Sequence, residues 1–183
     1  MTALLHFENI TLRRGGRLLF EDLDLELGPG EALQVMGPNG SGKSSLIRLA
    51  AGLLRAERGR VQKSALALAD DNLALDCELP LGRALNFWGG AVDEAMEDLG
   101  LGHLAAVPVR LLSSGQLKRA TLARVVASGA PLWLLDEPLN ALDVEGTGRL
   151  SRAIQKQLAR GGALLVASHQ PMSGDWRLLE LRH

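Results

Sequence analysis

Gly37, Pro38, Asn39, Gly40, Ser41, Gly42, Lys43 and Ser44 constrain this chain more than any other segment. They spell G-x4-G-K-S, after a short apolar run from Ala32 to Met36 and before SSLIRLAAGLL, whose apolar residues have helical spacing. Strand, glycine loop and helix is the order a phosphate-binding loop needs. Glycines let successive backbone N–H groups turn inward at the positive end of the helix, where they cradle phosphate oxygens together with Ser41 and Ser45. Lys43 then reaches the β- and γ-phosphates, and the Ser44 hydroxyl is placed to ligate Mg²⁺. The expected ligands are therefore ATP and Mg²⁺.

The rest of the chain reads as the sheet such a loop requires. Asp22 to Leu27, DLDLEL, alternates acidic and apolar residues as a half-exposed strand does, and Gly28 to Gly30 marks a turn, so a small antiparallel β edge is expected near the start. Later, Gln116 to Ala127 reads as a helix, Leu132 to Leu135 as a buried strand, Gly146 to Ala159 as a helix and Ala163 to Ala167 as a second buried strand. This alternation predicts an α/β fold with a parallel sheet and crossovers. Between Val61 and Leu112 the texture changes to a strand at Ala65 to Ala69 and two short helical stretches, around Arg83 to Trp88 and Val92 to Leu99. We read one domain over 1–183, with a core of 1–61 and 113–183 and an inserted helical lobe of about 62–112.

Leu132, Trp133, Leu134 and Leu135 run straight into Asp136 and Glu137, which places two carboxylates at the C-terminal end of a buried strand, where a ligand is expected. Asp136 is suited to hold Mg²⁺ through water, and Glu137 to polarise the water that attacks the γ-phosphate. Composition removes several other classes. At 46% hydrophobic the chain can bury a sizeable core, and a formal net charge of -1 lacks the basic excess that polyanion binding needs, so no nucleic-acid partner is expected. Cys77 is the only cysteine, which excludes a disulfide framework or a thiolate cluster and suits a reducing compartment. No apolar run approaches the roughly 20 residues of a membrane span, and the first residues lack the pattern of a secretory signal.

Leu112, Ser113, Ser114, Gly115 and Gln116 open the helix that continues through Leu117 and Arg119. Read bare, Ser113 or Ser114 is a helix cap. The stretch also resembles the LSGGQ signature of the ATP-binding cassette family, with Ser114 in place of one glycine. Ala141-Leu142-Asp143 is similar to that family's dimer-contact loop, and Ser168-His169, just after an apolar strand, to its switch histidine. The resemblance runs from Leu4 to about Met172 and implies a P-loop NTPase core of cassette type. It implies catalysis by Glu137, His169 and Lys43, and contact of Ser113, Gly115 and Gln116 with nucleotide held by the opposite subunit of a head-to-tail homodimer. LNFW, PLWLLDEP and RGGALLVASHQPM narrow it to the ATP-binding subunits of haem exporters in cytochrome c biogenesis. That likeness implies integral-membrane transporter subunits as partners and a peripheral position on the cytoplasmic side of the inner membrane. A soluble cassette ATPase that remodels a nucleic-acid or ribosomal partner is the alternative, although the second cassette, coiled-coil arm and basic patches of such proteins are missing here.

Two features depart from the family pattern. No aromatic residue lies between Phe7 and Phe20 to stack on adenine, which leaves Arg13 or Arg14 as a guanidinium platform, or as an exposed pair beside Gly15 and Gly16, and predicts weak discrimination between ATP and GTP. No glutamine lies between the Ala65 strand and Leu75, where the family's Mg²⁺-linked coupling loop falls. Asp71, with Asp70 and Asn72 as lesser candidates, occupies that position and is the third expected metal contact. Leu85, Phe87 and Trp88 fall on or beside a surface helix, either closing the lobe's own core or waiting for a partner. His6, His103 and His183 are read as structural.

Overall fold

The computed structural model describes residues 3–181, so His183 lies outside the described residues. Their residue contacts group into two units, one comprising the chain up to Leu68 with Pro131–Glu137 and the chain from Gln157 on, the other Ala69–Ala130 with Pro138–Lys156.

The first unit holds two sheets. Strands β1 (Leu5–Arg14), β2 (Arg17–Leu27) and β4 (Arg58–Lys63) form an antiparallel sheet in the order β2-β1-β4. The DLDLEL alternation is the C-terminal half of β2, with Leu25 and Leu27 buried and Asp22, Asp24 and Glu26 exposed. β1 and β2 meet through Gly15 and Gly16, with φ of 57° and 79°, the paired left-handed geometry of a tight hairpin turn that glycine adopts without strain. Strands β5 (Leu66–Ala69), β6 (Leu132–Asp136), β7 (Ala163–Ala167), β3 (Ala32–Met36) and β8 (Arg177–Glu180) form the second sheet in the order β5-β6-β7-β3-β8. β6, β7, β3 and β8 pair in parallel. Every residue of β6 and β7 is buried, as continuous apolar runs covered on both faces must be.

Helix α1 (Lys43–Ala51) leaves the phosphate loop and packs on β6 and β7 through Leu46, Ile47 and Ala50. It stops at Gly52, whose φ of 79° turns its N–H back onto the Arg48 and Leu49 carbonyls. The sequence pattern missed β1, β4 and β8. β4, RGRVQK, buries no side chain fully, and β8 is almost wholly exposed, so neither shows a periodic apolar signal.

The second unit contains α2 (Leu81–Asn86), α3 (Val92–Asp98), α4 (Ser114–Ala127) and most of α5 (Val144–Ala159), with α2 and α3 packed against α4. Leu81, Leu85, Val92, Met96, Leu99, Val109, Leu122 and Val125 are among its buried side chains. Lys156 meets Asp98 at 2.7 Å, and Arg149 donates to the Glu97 carbonyl, which ties α5 to the end of α3. The expected helix at Arg83 to Trp88 starts and ends two residues early. Phe87 and Trp88 stand just past its end, where Gly89 and Gly90 break it with positive φ.

Candidate functional site

In the first unit Gly37 has a φ of 154°, Gly40 of 80° and Gly42 of 106°, so the loop turns its amides inward through backbone angles that side chains resist. A Cβ on Gly37 would lie 2.7 Å from both the Leu181 carbonyl and Ser41 Oγ, and one on Gly42 would lie 3.1 Å from the Phe20 ring. Gly37 and Gly42 are thus fixed by crowding as well as by angle, whereas a Cβ on Gly40 would meet nothing within 4 Å. Lys43 Nζ donates to the Gly37 carbonyl at 2.7 Å and to the Pro38 carbonyl at 3.2 Å, which curls the ammonium over its own loop. Ser41 Oγ is buried without a hydrogen-bond partner inside the loop, a polar atom that costs free energy unless something binds there.

A cavity of about 490 Å³ opens on this loop. Asn39, Gly40, Gly42, Lys43, Ser44 and Ser45 line it, with Glu137 beside them and with Arg14, Arg17 and Leu19 from the β1–β2 hairpin. Asp136 is buried at the end of β6, and Glu137 follows with a left-handed φ of 46°, a strained angle for a non-glycine residue of the kind that clusters at working sites. Its backbone N–H is held by the Ala167 carbonyl at 2.8 Å. Its carboxylate Oε2 lies 2.8 Å from His169 Nδ1.

The segment carrying His169 has an anchor that sequence reasoning missed. Gln34, a buried polar residue in the middle of β3, donates from Nε2 to the Gln170 carbonyl at 2.6 Å and accepts at Oε1 from the Met172 N–H at 3.0 Å. The signal was a lone amide in the apolar run ALQVM: a side chain buried there must find partners, and the loop after β7 supplies both.

The second unit holds the other expected residues. Ser113 is the cap of α4: its Oγ accepts from the Gln116 N–H, and Gln116 Oε1 accepts from the Ser113 N–H at 2.8 Å, a reciprocal capping box. That resolves the alternative between Ser113 and Ser114. Gly115 faces Ala141 so closely that a Cβ would lie 2.9 Å from the Ala141 carbonyl, and Ala141 itself has a φ of 64°. Asp143 Oδ1 accepts the Gly146 N–H at 2.7 Å at the start of α5. Asp71 does not line the cavity on the phosphate loop. It lines a groove of about 280 Å³ with Asp70, Leu73, Ser114, Lys118 and Asn140.

The fold and the phosphate site define an ATP-binding cassette. The ABC transporter family model matches residues 20–77 and 83–140, more than half of the chain, and the chain belongs to that family of ATP-hydrolysing transporter subunits. It is 56% identical over 177 residues to the cytochrome c biogenesis ATP-binding export protein CcmA of Sphingopyxis alaskensis, covering 92% of this chain and 91% of that protein. To CcmA of Novosphingobium aromaticivorans it is 55% identical over 90% of this chain and 88% of the relative. To CcmA of Zymomonas mobilis it is 45% identical over 99% and 86%. The fold is shared with the ATP-binding subunit of an ABC transporter at a TM-score of 0.82 and 22% identity, over 91% of this chain and 79% of that one. A nucleotide-free ATP-binding cassette superposes with a TM-score of 0.76 at 21% identity, over 92% and 82%. No helix among the described residues is long and apolar enough to cross a membrane.

Proposed function

We propose that this chain is the ATPase of a membrane exporter serving cytochrome c biogenesis, with haem export or release of a haem chaperone as the driven step. The observation that carries the reading is the Glu137–His169 pair beside the Lys43 loop, in a chain more than half identical to two proteins of that printed function. The relatives bear export names, which gives no support to the nucleic-acid remodelling alternative.

In this reading the backbone N–H groups between Gly37 and Ser45, Pro38 excepted, hold the β-phosphate, and Lys43 swings from the Gly37 and Pro38 carbonyls to the β- and γ-phosphates. Ser44 and Asp136 suit Mg²⁺, a hydroxyl and a carboxylate being the hard oxygen donors it prefers. The ion, when bound, neutralises charge on the phosphates. Glu137 orients and polarises the attacking water, and His169 holds the Glu137 carboxylate in place. Ser113, Gly115 and Gln116 meet the nucleotide of a second copy, so two chains enclose two nucleotides. The cassette acts as one domain over 1–183, with its helical lobe of about 62–112 facing integral-membrane subunits from the cytoplasmic side of the inner membrane. Asp71 takes the coupling-loop place of the missing glutamine.

The test is a strain lacking this chain and complemented with Lys43→Ala. Haem-stained gels should lose c-type cytochromes while b-type cytochromes persist. Normal c-type staining, with no second maturation system present, would remove the pathway assignment and leave the ATPase.

A further inference from the structure

From Arg48 to Lys63 the chain carries five cations, Arg48, Arg55, Arg58, Arg60 and Lys63, against the single carboxylate of Glu57, although its formal net charge is -1. Glu57 is already taken, by Arg13 at 3.6 Å. A cavity of about 370 Å³ opens in this stretch, past the end of α1. Arg55, Arg60 and Lys63 line it and are exposed, whereas Leu49 is buried and Leu54 and Val61 are half-buried, which gives a cationic rim over an apolar floor. Among the described residues none of the three cations is in an ion pair, and Glu8, opposite Arg60 on β1, makes none with it. Lys63 Nζ donates to the Ala51 carbonyl at the end of α1, where Gly52 leaves it room: a Cβ there would run into the ammonium. An ammonium has three N–H groups, so two remain for another acceptor. Burial lowers the Lys63 pKa from its usual value, the cost of a cation without a counter-charge, which a bound anion would offset. We propose that this cavity is a second anion site, taking a phosphate group carried on an apolar body.

The two arginines supply planar forks that match phosphate oxygens, and the lysine adds a point charge. A bare phosphate would use only the rim and leave the Leu49, Leu54 and Val61 floor in water, whereas a phosphoester with carbon beside the phosphate covers both. A merely solvated basic face is different, because there Arg58, exposed but outside the cavity, would count as much as Arg60. Two sources share the required chemistry: the headgroup of an anionic lipid, which a transporter subunit meets at its membrane, and a soluble phosphoester. The cavity has no lining residue in common with the one on the Lys43 loop, so the site stands apart from nucleotide binding.

Calorimetric binding is measured on the full chain saturated with Mg-ADP, so that the phosphate loop is filled. The probes are dihexanoyl phosphatidylglycerol kept below its micelle concentration, glycerol phosphate and inorganic phosphate. At least one of the two phosphoesters should bind, and more tightly than inorganic phosphate. Binding of the lipid alone assigns the membrane as the source, and equal binding of glycerol phosphate assigns a soluble ester. Arg55→Ala and Arg60→Ala should each weaken the interaction by about fivefold, whereas Arg58→Ala should leave it unchanged. All three variants should keep basal ATPase activity and Mg-ADP affinity, which shows that the fold is intact. No binding of either phosphoester, inorganic phosphate binding as tightly as they do, or a loss in Arg58→Ala equal to that in Arg60→Ala overturns the proposal.

Discussion

Oε2 of Glu137 accepts from the His169 backbone N–H at 3.4 Å and lies 2.8 Å from His169 Nδ1, so one residue grips the carboxylate with both main chain and ring. The ring contact leaves Nε2 facing the Gln170 amide at 3.5 Å. Glu137→Gln keeps the shape and removes the charge proposed to polarise water, so hydrolysis should fall by about 100-fold or more while ATP still binds. With Mg-ATP this variant should accumulate as a dimer in light scattering. A monomer under those conditions would contradict the two-copy arrangement.

His169→Ala removes the ring and leaves the carboxylate. The rate should fall, yet by less than in Glu137→Gln, because Glu137 keeps its charge and loses only its orientation. Steady-state kinetics should show the loss in kcat, with KM little moved. A KM-only effect would place His169 in nucleotide binding instead.

Gln34 offers a test at a distance from the nucleotide. Gln34→Leu deletes two hydrogen bonds and leaves the Gln170 carbonyl and Met172 N–H without their partner, a cost of about 1–3 kcal/mol in thermal unfolding. The loop then no longer fixes His169, and kcat should drop toward that of His169→Ala. A variant equally active and equally stable would show that the loop needs no anchor.

The parts of this fold that sequence exposes are those whose cause is local. The phosphate loop and the LWLLD and ALLVA strands each arise from residues adjacent in the chain and were legible, as was a serine cap on α4, although the choice of Ser113 over Ser114 came from the structure. β8 was not, because RLLE gains its place only by pairing with β3, and its burial carries no pattern. The glutamate at the strand end was legible as a motif, but its φ of 46° was not, since it belongs to the folded sheet, where the Glu137 N–H meets the Ala167 carbonyl of the neighbouring strand. Arg14 was left level with Arg13 for the same reason: only the hairpin register and the Glu57 pair separate them.

Gly115 is held by space. A Cβ there would press on the Ala141 carbonyl at 2.9 Å, and Ala141 is already in a left-handed conformation that backbone movement would strain further. Gly115→Ala should destabilise the segment by about 1–3 kcal/mol and displace the start of α4. ATP affinity of the isolated chain should survive, since the phosphate loop is untouched, while turnover should fall if this segment completes a second copy's site. Full turnover would show that the glycine serves packing alone.

The last prediction concerns Phe87 and Trp88, which the sequence left poised between closing the lobe and meeting a partner. Leu85 closes the lobe, being 1% exposed, whereas Phe87 is 81% exposed and Trp88 49%. Trp88 is fixed, with Nε1 donating to the Ala74 carbonyl at 2.9 Å and Arg124 lying 4.7 Å from its ring centroid. Phe87 meets it edge to face at 5.6 Å and otherwise faces outward. A large aromatic held out on a rigid neighbour is the geometry of an anchor for another protein. Trp88→Ala should therefore lower stability, through its lost hydrogen bond and cation contact. Phe87→Ala should change stability by no more than about 0.5 kcal/mol and leave basal ATPase intact, as exposed substitutions do. In cells, Phe87→Ala should nevertheless release the chain from the membrane fraction and reduce haem attachment to c-type cytochromes. If it remains membrane-bound with normal haem staining, Phe87 is not the anchor and the partner docks elsewhere.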